Sequence, residues 1–168
     1  MELIGRMLDG SISYGEKGTS PHGLFGFRIS QDDKIERLRE VSLLEGCTRR
    51  QLRDVARIAE VREVAAGAVL TRKGERGDEF FLIVDGRARV IINARKHARL
   101  SPGDFFGEMS LLDGGPRSAT VMAETAMRLL VIRRLDFARL MSDVPDLPRS
   151  LLAVLSRRLR QAEGAPTA

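Results

Sequence analysis

The sequence predicts an α+β fold in which β structure dominates: an eight-stranded antiparallel sandwich or barrel with helices at both ends. Across residues 61–133, runs of Val, Ile, Leu and Phe are separated by Gly-containing turns every eight to twelve residues, the rhythm of short paired strands. Before and after that stretch the apolar spacing lengthens to three and four, which is helical. A third observation lies inside the β-rich region. Residues 106–121, FGEMSLLDGGPRSATV, place the acid Glu108, one arginine and several glycines in a short span.

The elements follow in order. Residues 1–31 contain Gly5, Gly10, Gly15, Gly18, Gly23 and Gly26 among Ser, Thr and Pro21, a composition that repays ordering poorly and predicts a flexible tail. Within it Leu3, Ile4, Met7 and Leu8 suit one short amphipathic turn. The Gly10–Lys17 stretch approaches a nucleoside-triphosphate loop, but Glu16 stands where that pattern needs lysine. A folded domain is expected over 32–163, followed by a disordered end at 164–168. Ile35, Leu38, Val41 and Leu44 define a first helical face, and Thr48 caps a second helix carrying Leu52, Val55, Ala56 and Ala59. Strands are expected near 61–65, 68–72, 79–84, 87–92, 97–100, 104–106, 118–124 and 127–132. Residues 93–96 form a tight hairpin connection, which leaves His97 on an exposed strand. A short helix is expected over 107–112.

Helical spacing resumes after Arg133 with Leu135, Phe137, Ala138, Leu140 and Met141, breaks at Pro145 and Pro148, and returns with Leu151, Leu152, Val154, Leu155 and Leu159. Proline suits the first turn of a helix and not its middle, so Pro148 marks a hinge between two helices. The stripe Leu151, Leu155, Leu159 fits packing on the barrel and equally a seam for a second copy, a homodimer through the C-terminal helix.

Composition narrows the function classes. At 168 residues and 43% hydrophobic content the chain suits one domain with a modest appendage. Its single cysteine, Cys47, excludes an internal disulfide, and its apolar helical surroundings predict a buried small side chain rather than a nucleophile. A reducing, cytoplasmic setting is the expectation. The longest apolar run, residues 80–84, is far too short to span a bilayer, so no membrane partner is expected. The formal charge of +5 comes from 24 arginines and 4 lysines against 23 acids. The arginines are interleaved with acids along the whole chain, which predicts scattered solvated charge rather than a nucleic-acid footprint.

Residues 106–121 carry the chemistry. A helix opening at Gly107 leaves N–H groups without intrahelical partners, and such a terminus favours an anion. Arg117 supplies a planar, permanently charged fork that meets two phosphate oxygens at once. Glu108 cannot neutralise a phosphate, but its carboxylate accepts a hydroxyl hydrogen, as from a ribose. The set suits a cyclic sugar phosphate.

This segment resembles the phosphate-binding cassette of the cyclic nucleotide-binding domain family, whose pattern is FGE, a short apolar stretch, then PR[ST]A[TV]. The resemblance covers roughly residues 35–161, including Gly74-Glu75-Arg76-Gly77-Asp78, Gly86 and Pro102-Gly103-Asp104. It implies that the barrel is a β-roll of the jelly-roll kind, with a cassette helix and C-terminal hinge and lid helices. It also implies a ligand site of Gly107, Glu108, Met109, Ser110, Arg117, Ser118 and Ala119. In that site Glu108 holds the ribose 2′-hydroxyl, Arg117 pairs with the cyclic phosphate, and the amides of Ser110 and Ser118 complete the cradle. The lid is expected over 148–163, with Arg157 or Arg158 covering the base. Members that favour cyclic GMP tend to carry threonine after the cassette arginine; Ser118 leans towards cyclic AMP, with cyclic GMP as the alternative.

Catalysis is not expected. His22 and His97 are the only histidines, too few for a metal-dependent barrel, and no Ser–His–Asp arrangement is credible. No cofactor is expected beyond the nucleotide ligand. The sequence is read as a regulatory sensor that passes occupancy through its C-terminal helix or N-terminal tail to an unidentified effector protein on another chain. The alternatives are a DNA-associated regulator using the basic 157–160 stretch and a protein-interaction module that does not bind nucleotide.

Overall fold

The computed structural model describes Phe25, Gly26 and residues 28–164. The expectations for residues 1–24, including the amphipathic turn, and for the last four residues lie outside the described residues.

Helix α1, Gln31–Arg39, opens at Ser30, whose hydroxyl accepts from the Asp33 amide while the Asp33 carboxylate accepts from the Ser30 amide. A 3-10 turn, Ser42–Leu44, leads to α2, Arg49–Ile58. Thr48 and Gln51 form the same reciprocal cap there. Lys34 of α1 is buried and its Nζ donates to the carbonyls of Ala56 and Ala59 at 3.1 and 2.8 Å, so a cation closes the end of α2. Cys47 does not lie in a helix. It sits half-buried in the loop before Thr48, against the core, because the cap pulls the chain out of helical geometry one residue later.

Eight strands follow: β1 Glu60–Val64, β2 Val69–Thr71, β3 Glu79–Asp85, β4 Ala88–Asn93, β5 Lys96–Leu100, β6 Phe105–Phe106, β7 Thr120–Ala123 and β8 Met127–Arg133. They form two four-stranded sheets ordered β1-β8-β3-β6 and β2-β7-β4-β5, with every pairing antiparallel. The turn at 94–95 joins β4 to β5, and His97 is exposed as expected. This is the predicted β-roll. The seventh strand starts at Thr120, later than the expected 118, because Arg117 exchanges backbone bonds with Gly74 and Glu75 instead of continuing the β7 ladder.

Strand β3 pairs Phe81 with Val131 and Leu82 with Leu130 of β8, and two side-chain faces result. Phe81, Ile83, Leu129 and Val131 point between the sheets, where they meet Phe106, Val121 and Met127. Phe80, Leu82, Val84, Leu130 and Ile132 point outward, into a second core built with α1, α2 and the C-terminal helices. Strands covered on both faces read as continuous apolar runs rather than alternating ones, which is why FFLIV and LLVI look alike in the sequence.

Helix α3, Glu108–Asp113, lies between β6 and β7; α4, Arg134–Asp143, and α5, Asp146–Ala162, close the chain. The break between α4 and α5 falls at Val144–Pro145, with Pro148 in the first turn of α5. Leu151 is buried and Leu155 half-buried, whereas Leu159 is exposed, so the anticipated stripe divides along the helix.

Scattered solvated charge does not describe every arginine. Arg128 of β8 is 1% exposed and donates to Glu63 at 2.9 Å, with Asp85 at 3.6 Å and the Phe25 ring 4.5 Å from its guanidinium carbon. A charge this deeply buried requires such partners.

Candidate functional site

Gly107 has φ of 88°, a left-handed conformation that glycine adopts without a Cβ clash, and it turns the chain from β6 into α3. The helix starts at Glu108, one residue later than expected, with Gly107 as its cap. That turn buries the Glu108 carboxyl, whose side chain is 4% exposed, and the neighbouring Ser110. Met109 and Ser118 are exposed and adjoin each other, the Ser118 hydroxyl lying 3.6 Å from the Met109 sulfur, and Ala119 is half-buried.

Arg117 is 8% exposed. Its Nη1 donates to the Gly107 carbonyl and its Nη2 to the Glu79 carbonyl, both at 2.9 Å, and its guanidinium lies 5.8 Å from the Phe81 ring centre. Its backbone is equally fixed: the amide donates to Glu75 and the carbonyl accepts from Gly74, each at 2.8 Å. Two glycines make room for it. A Cβ at Gly77 would fall on Nε and Cζ of Arg117, and one at Gly107 would come within 2.8 Å of Nη1. The loop 74–78 therefore serves as the wall against which the guanidinium rests. Burial lowers the Arg117 pKa from its ordinary value, offset in part by Glu79, Asp78 and Glu108. Such a cation gains from an anion brought beside it.

Glu108 has the complementary character. Burial raises its pKa, and Arg158, its own backbone amide and Arg117 work in the opposite direction. Arg158 reaches across from α5, with Nη1 donating to Glu108 Oε1 at 2.9 Å, Nη2 donating to the Phe105 carbonyl at 2.6 Å, and the Phe105 ring 4.4 Å from its guanidinium carbon. The last helix thus reaches the cassette through the Arg158 side chain. Arg157, the other lid candidate, is exposed on a different face of α5.

Four further participants escaped the sequence reading. Glu79 contributes only a carbonyl, and Phe81 and Phe105 contribute rings that look like ordinary core. Arg134 ties the wall to the cassette helix, donating to Asp78 at 3.0 Å, to the Gly77 carbonyl at 2.7 Å and to the Ser110 carbonyl at 3.2 Å. The GERGD run was the one available signal for the wall; nothing distinguished Arg134 from its neighbours. A cavity of about 170 Å³ lined by Arg37, Val41, Ile83 and Gly103 lies elsewhere, against α1, and shares no residue with this cluster.

Residues 61–144, half of the chain, match the family model described as the cyclic nucleotide-binding domain. The chain belongs to the cyclic nucleotide-binding domain family. Among curated proteins, a cyclic nucleotide-gated potassium channel of Rhizobium etli is 44% identical over 98 residues, covering 58% of this chain and 27% of the channel. A cyclic AMP receptor protein of Thermus thermophilus is 37% identical over 102 residues, covering 58% of this chain and 47% of that protein. The crystal structure of the Thermus thermophilus catabolite activator protein superposes with a TM-score of 0.66 at 31% identity, covering 73% of this chain and 60% of that one. The chain therefore spans between about a quarter and a half of the length of these curated relatives. The family is one of regulatory binding domains rather than of enzymes. Among the described residues of this cyclic nucleotide-binding domain, no helix is long and apolar enough to cross a membrane, and no group of His, Cys, Asp and Glu is placed to hold a metal ion.

Proposed function

We propose that this domain is a sensor for a cyclic nucleotide, preferentially cyclic AMP, and that occupancy is relayed through α5 to an effector on another chain. The observation that carries the reading is the pairing of a buried arginine with a buried carboxylate at the two ends of one cassette. Arg117 and Glu108 are 8% and 3% exposed. The cyclic phosphate lies against Arg117 and the amides of the 107–110 turn and Ser118, and the ribose 2′-hydroxyl donates to Glu108. Met109 and Ala119 flank the sugar phosphate.

Arg158 is the lid residue of this reading, since it already contacts the carboxylate that the ribose uses. Any shift of Glu108 or Phe105 on binding moves α5 with it, and the Val144–Pro145 break supplies the hinge. Ser118 favours cyclic AMP because members of the family that prefer cyclic GMP tend to carry threonine there, whose hydroxyl meets the guanine 2-amino group; serine keeps a hydroxyl, so this residue alone separates the two nucleotides weakly. The names of the relatives, a gated channel and a receptor protein, fit an output on another domain or chain.

Isothermal titration of the purified protein with cyclic AMP and, separately, cyclic GMP tests this directly. Micromolar or tighter binding is expected, stronger for cyclic AMP. Arg117→Ala should lose about 2–5 kcal/mol, the penalty for removing one partner of a buried charged contact. Parent-like affinity in Arg117→Ala would displace the phosphate from the assigned place. Silence from both nucleotides on a folded sample would leave a protein-interaction module.

A further inference from the structure

Helix α5 turns two different faces outward and inward. Leu147 and Leu151 are buried in the core and Arg158 is bound to Glu108. On the outer side Leu152 and Leu159 are 65% and 59% exposed, large apolar side chains with little cover. With the half-buried Pro148 and Leu155 they recur at spacings of four, three and four residues, the stagger of a coiled-coil seam. Arg149 and Arg160 flank this seam on its solvent side, and residues 147–162 contain no acid.

We propose that this seam is a docking surface for an acidic amphipathic helix of another protein. The apolar positions of such a helix pack between Leu152 and Leu159, and its flanking carboxylates meet Arg149 and Arg160. A second copy fits poorly. Two α5 helices side by side would bring arginine flanks together, with carboxylates only at the helix ends, Asp146 and Glu163, to answer them. An anionic bilayer fits poorly as well, because a helix lying in a membrane needs a broad apolar face and here the opposite flank is packed against the roll. The seam stands on the helix that Arg158 fastens to the cassette, so helix binding and nucleotide binding are thermodynamically coupled. The proposal rests on the reading of α5 as the output element, and the docking itself does not require nucleotide.

The test uses the full chain and two fluorescein-labelled synthetic helical peptides with Leu at a and d, one carrying Glu at e and g and the other Lys. Anisotropy titrations should show binding of the Glu peptide and not of the Lys peptide. Leu152→Ser combined with Leu159→Ser should weaken binding about tenfold or more. Arg149→Glu combined with Arg160→Glu should reverse the preference. All four positions are exposed, and circular dichroism with a cyclic AMP titration checks that each variant is folded. No binding, or equal binding of the two peptides, overturns the proposal. So does a dimer in sedimentation that the two Ser substitutions dissolve, which would assign the seam to a second copy, or tighter association with phosphatidylserine vesicles than with the Glu peptide. Peptide binding without nucleotide binding would sink the sensor reading and leave this one standing; the converse result would do the reverse.

Discussion

Arg158 Nη1 lies 2.9 Å from Glu108 Oε1, joining the last helix of the domain to the most buried carboxylate of the cassette. The arginine side chain is 34% exposed and the glutamate 4%, so the pair spans the boundary between solvent and core. An acid buried at this depth resists ionisation, and the guanidinium beside it favours the charged form. The pair thus connects the position of α5 to the state of the group proposed to receive the sugar.

Arg158→Ala should therefore weaken cyclic AMP binding by about tenfold, because Glu108 loses the cation that favours its charged form and fixes it in place. A double-mutant cycle with Glu108→Gln, read by chemical unfolding without nucleotide, should give a coupling of about 1–2 kcal/mol. That is more than exposed pairs give and less than fully buried ones. A coupling near zero would mean that the contact does not hold α5 in solution.

Gly77→Ala should damage the site more than the fold. The new methyl group falls on the Arg117 guanidinium, which must leave the carbonyls of Gly107 and Glu79. Cyclic AMP affinity should drop at least about tenfold while the melting temperature changes little. Gly103→Ala provides the contrast: φ there is 91° with open space around the added carbon, so the cost of about 1 kcal/mol falls on stability and not on binding. Titration calorimetry and thermal melts of the two variants decide the matter.

The pH dependence of stability should carry the signature of Glu108. Its pKa is raised by burial above the ordinary 4.5, so the folded chain keeps this proton at pH values where the unfolded chain has released it. Stability from this group consequently falls as pH rises from about 4.5 through the raised folded value. Glu79 acts oppositely: its hydrogen bond from Arg62 lowers its pKa, and its contribution, present above the ordinary value, is lost as pH falls through the lowered one. Unfolding the parent and Glu108→Gln side by side isolates the first effect. The parent's stability relative to the variant should decline as pH rises above the ordinary carboxyl value of 4.5; a flat difference would show an unshifted carboxyl.

Arg128→Met should cost about 3 kcal/mol, because Glu63 and Asp85 keep their charges in a partly buried place after losing the guanidinium between them. Adding Glu63→Leu should recover part of that loss, as an apolar replacement no longer demands a counter-charge. Denaturant midpoints of the single and double variants measure both. Nucleotide affinity should stay close to the parent's, since Arg128 belongs to the β1–β8 side of the sheet and not to the cassette.

Local patterns made much of this molecule readable. The strand rhythm pointed to an antiparallel sandwich or barrel because each turn needed a glycine or a short polar run, the resemblance of the cassette narrowed it to a β-roll, and Thr48 announced its helix because a cap is a matter of a few adjacent residues. The cassette was legible for the same reason: Gly107, Glu108 and Arg117 lie within eleven positions of one another and their chemistry is visible in their types. Contacts between distant segments were not legible. Arg158 stands 50 residues from Glu108, and Arg157 beside it looked equally suitable until the pitch of α5 chose between them. Arg128 looked like any other arginine, and Gly77 like a turn residue rather than the wall behind Arg117.

The sequence by itself determined which elements form and which residues carry charge suited to a cyclic phosphate, because periodicity, caps and motif spacing are properties of neighbouring residues. Only the tertiary structure decided which arginine closes over the cassette, which one is buried in the sheet and which leucines of α5 face solvent. Those choices depend on how helices and sheets pack across long separations, where a rotation of one residue, 100° on a helix, exchanges a buried side chain for an exposed one.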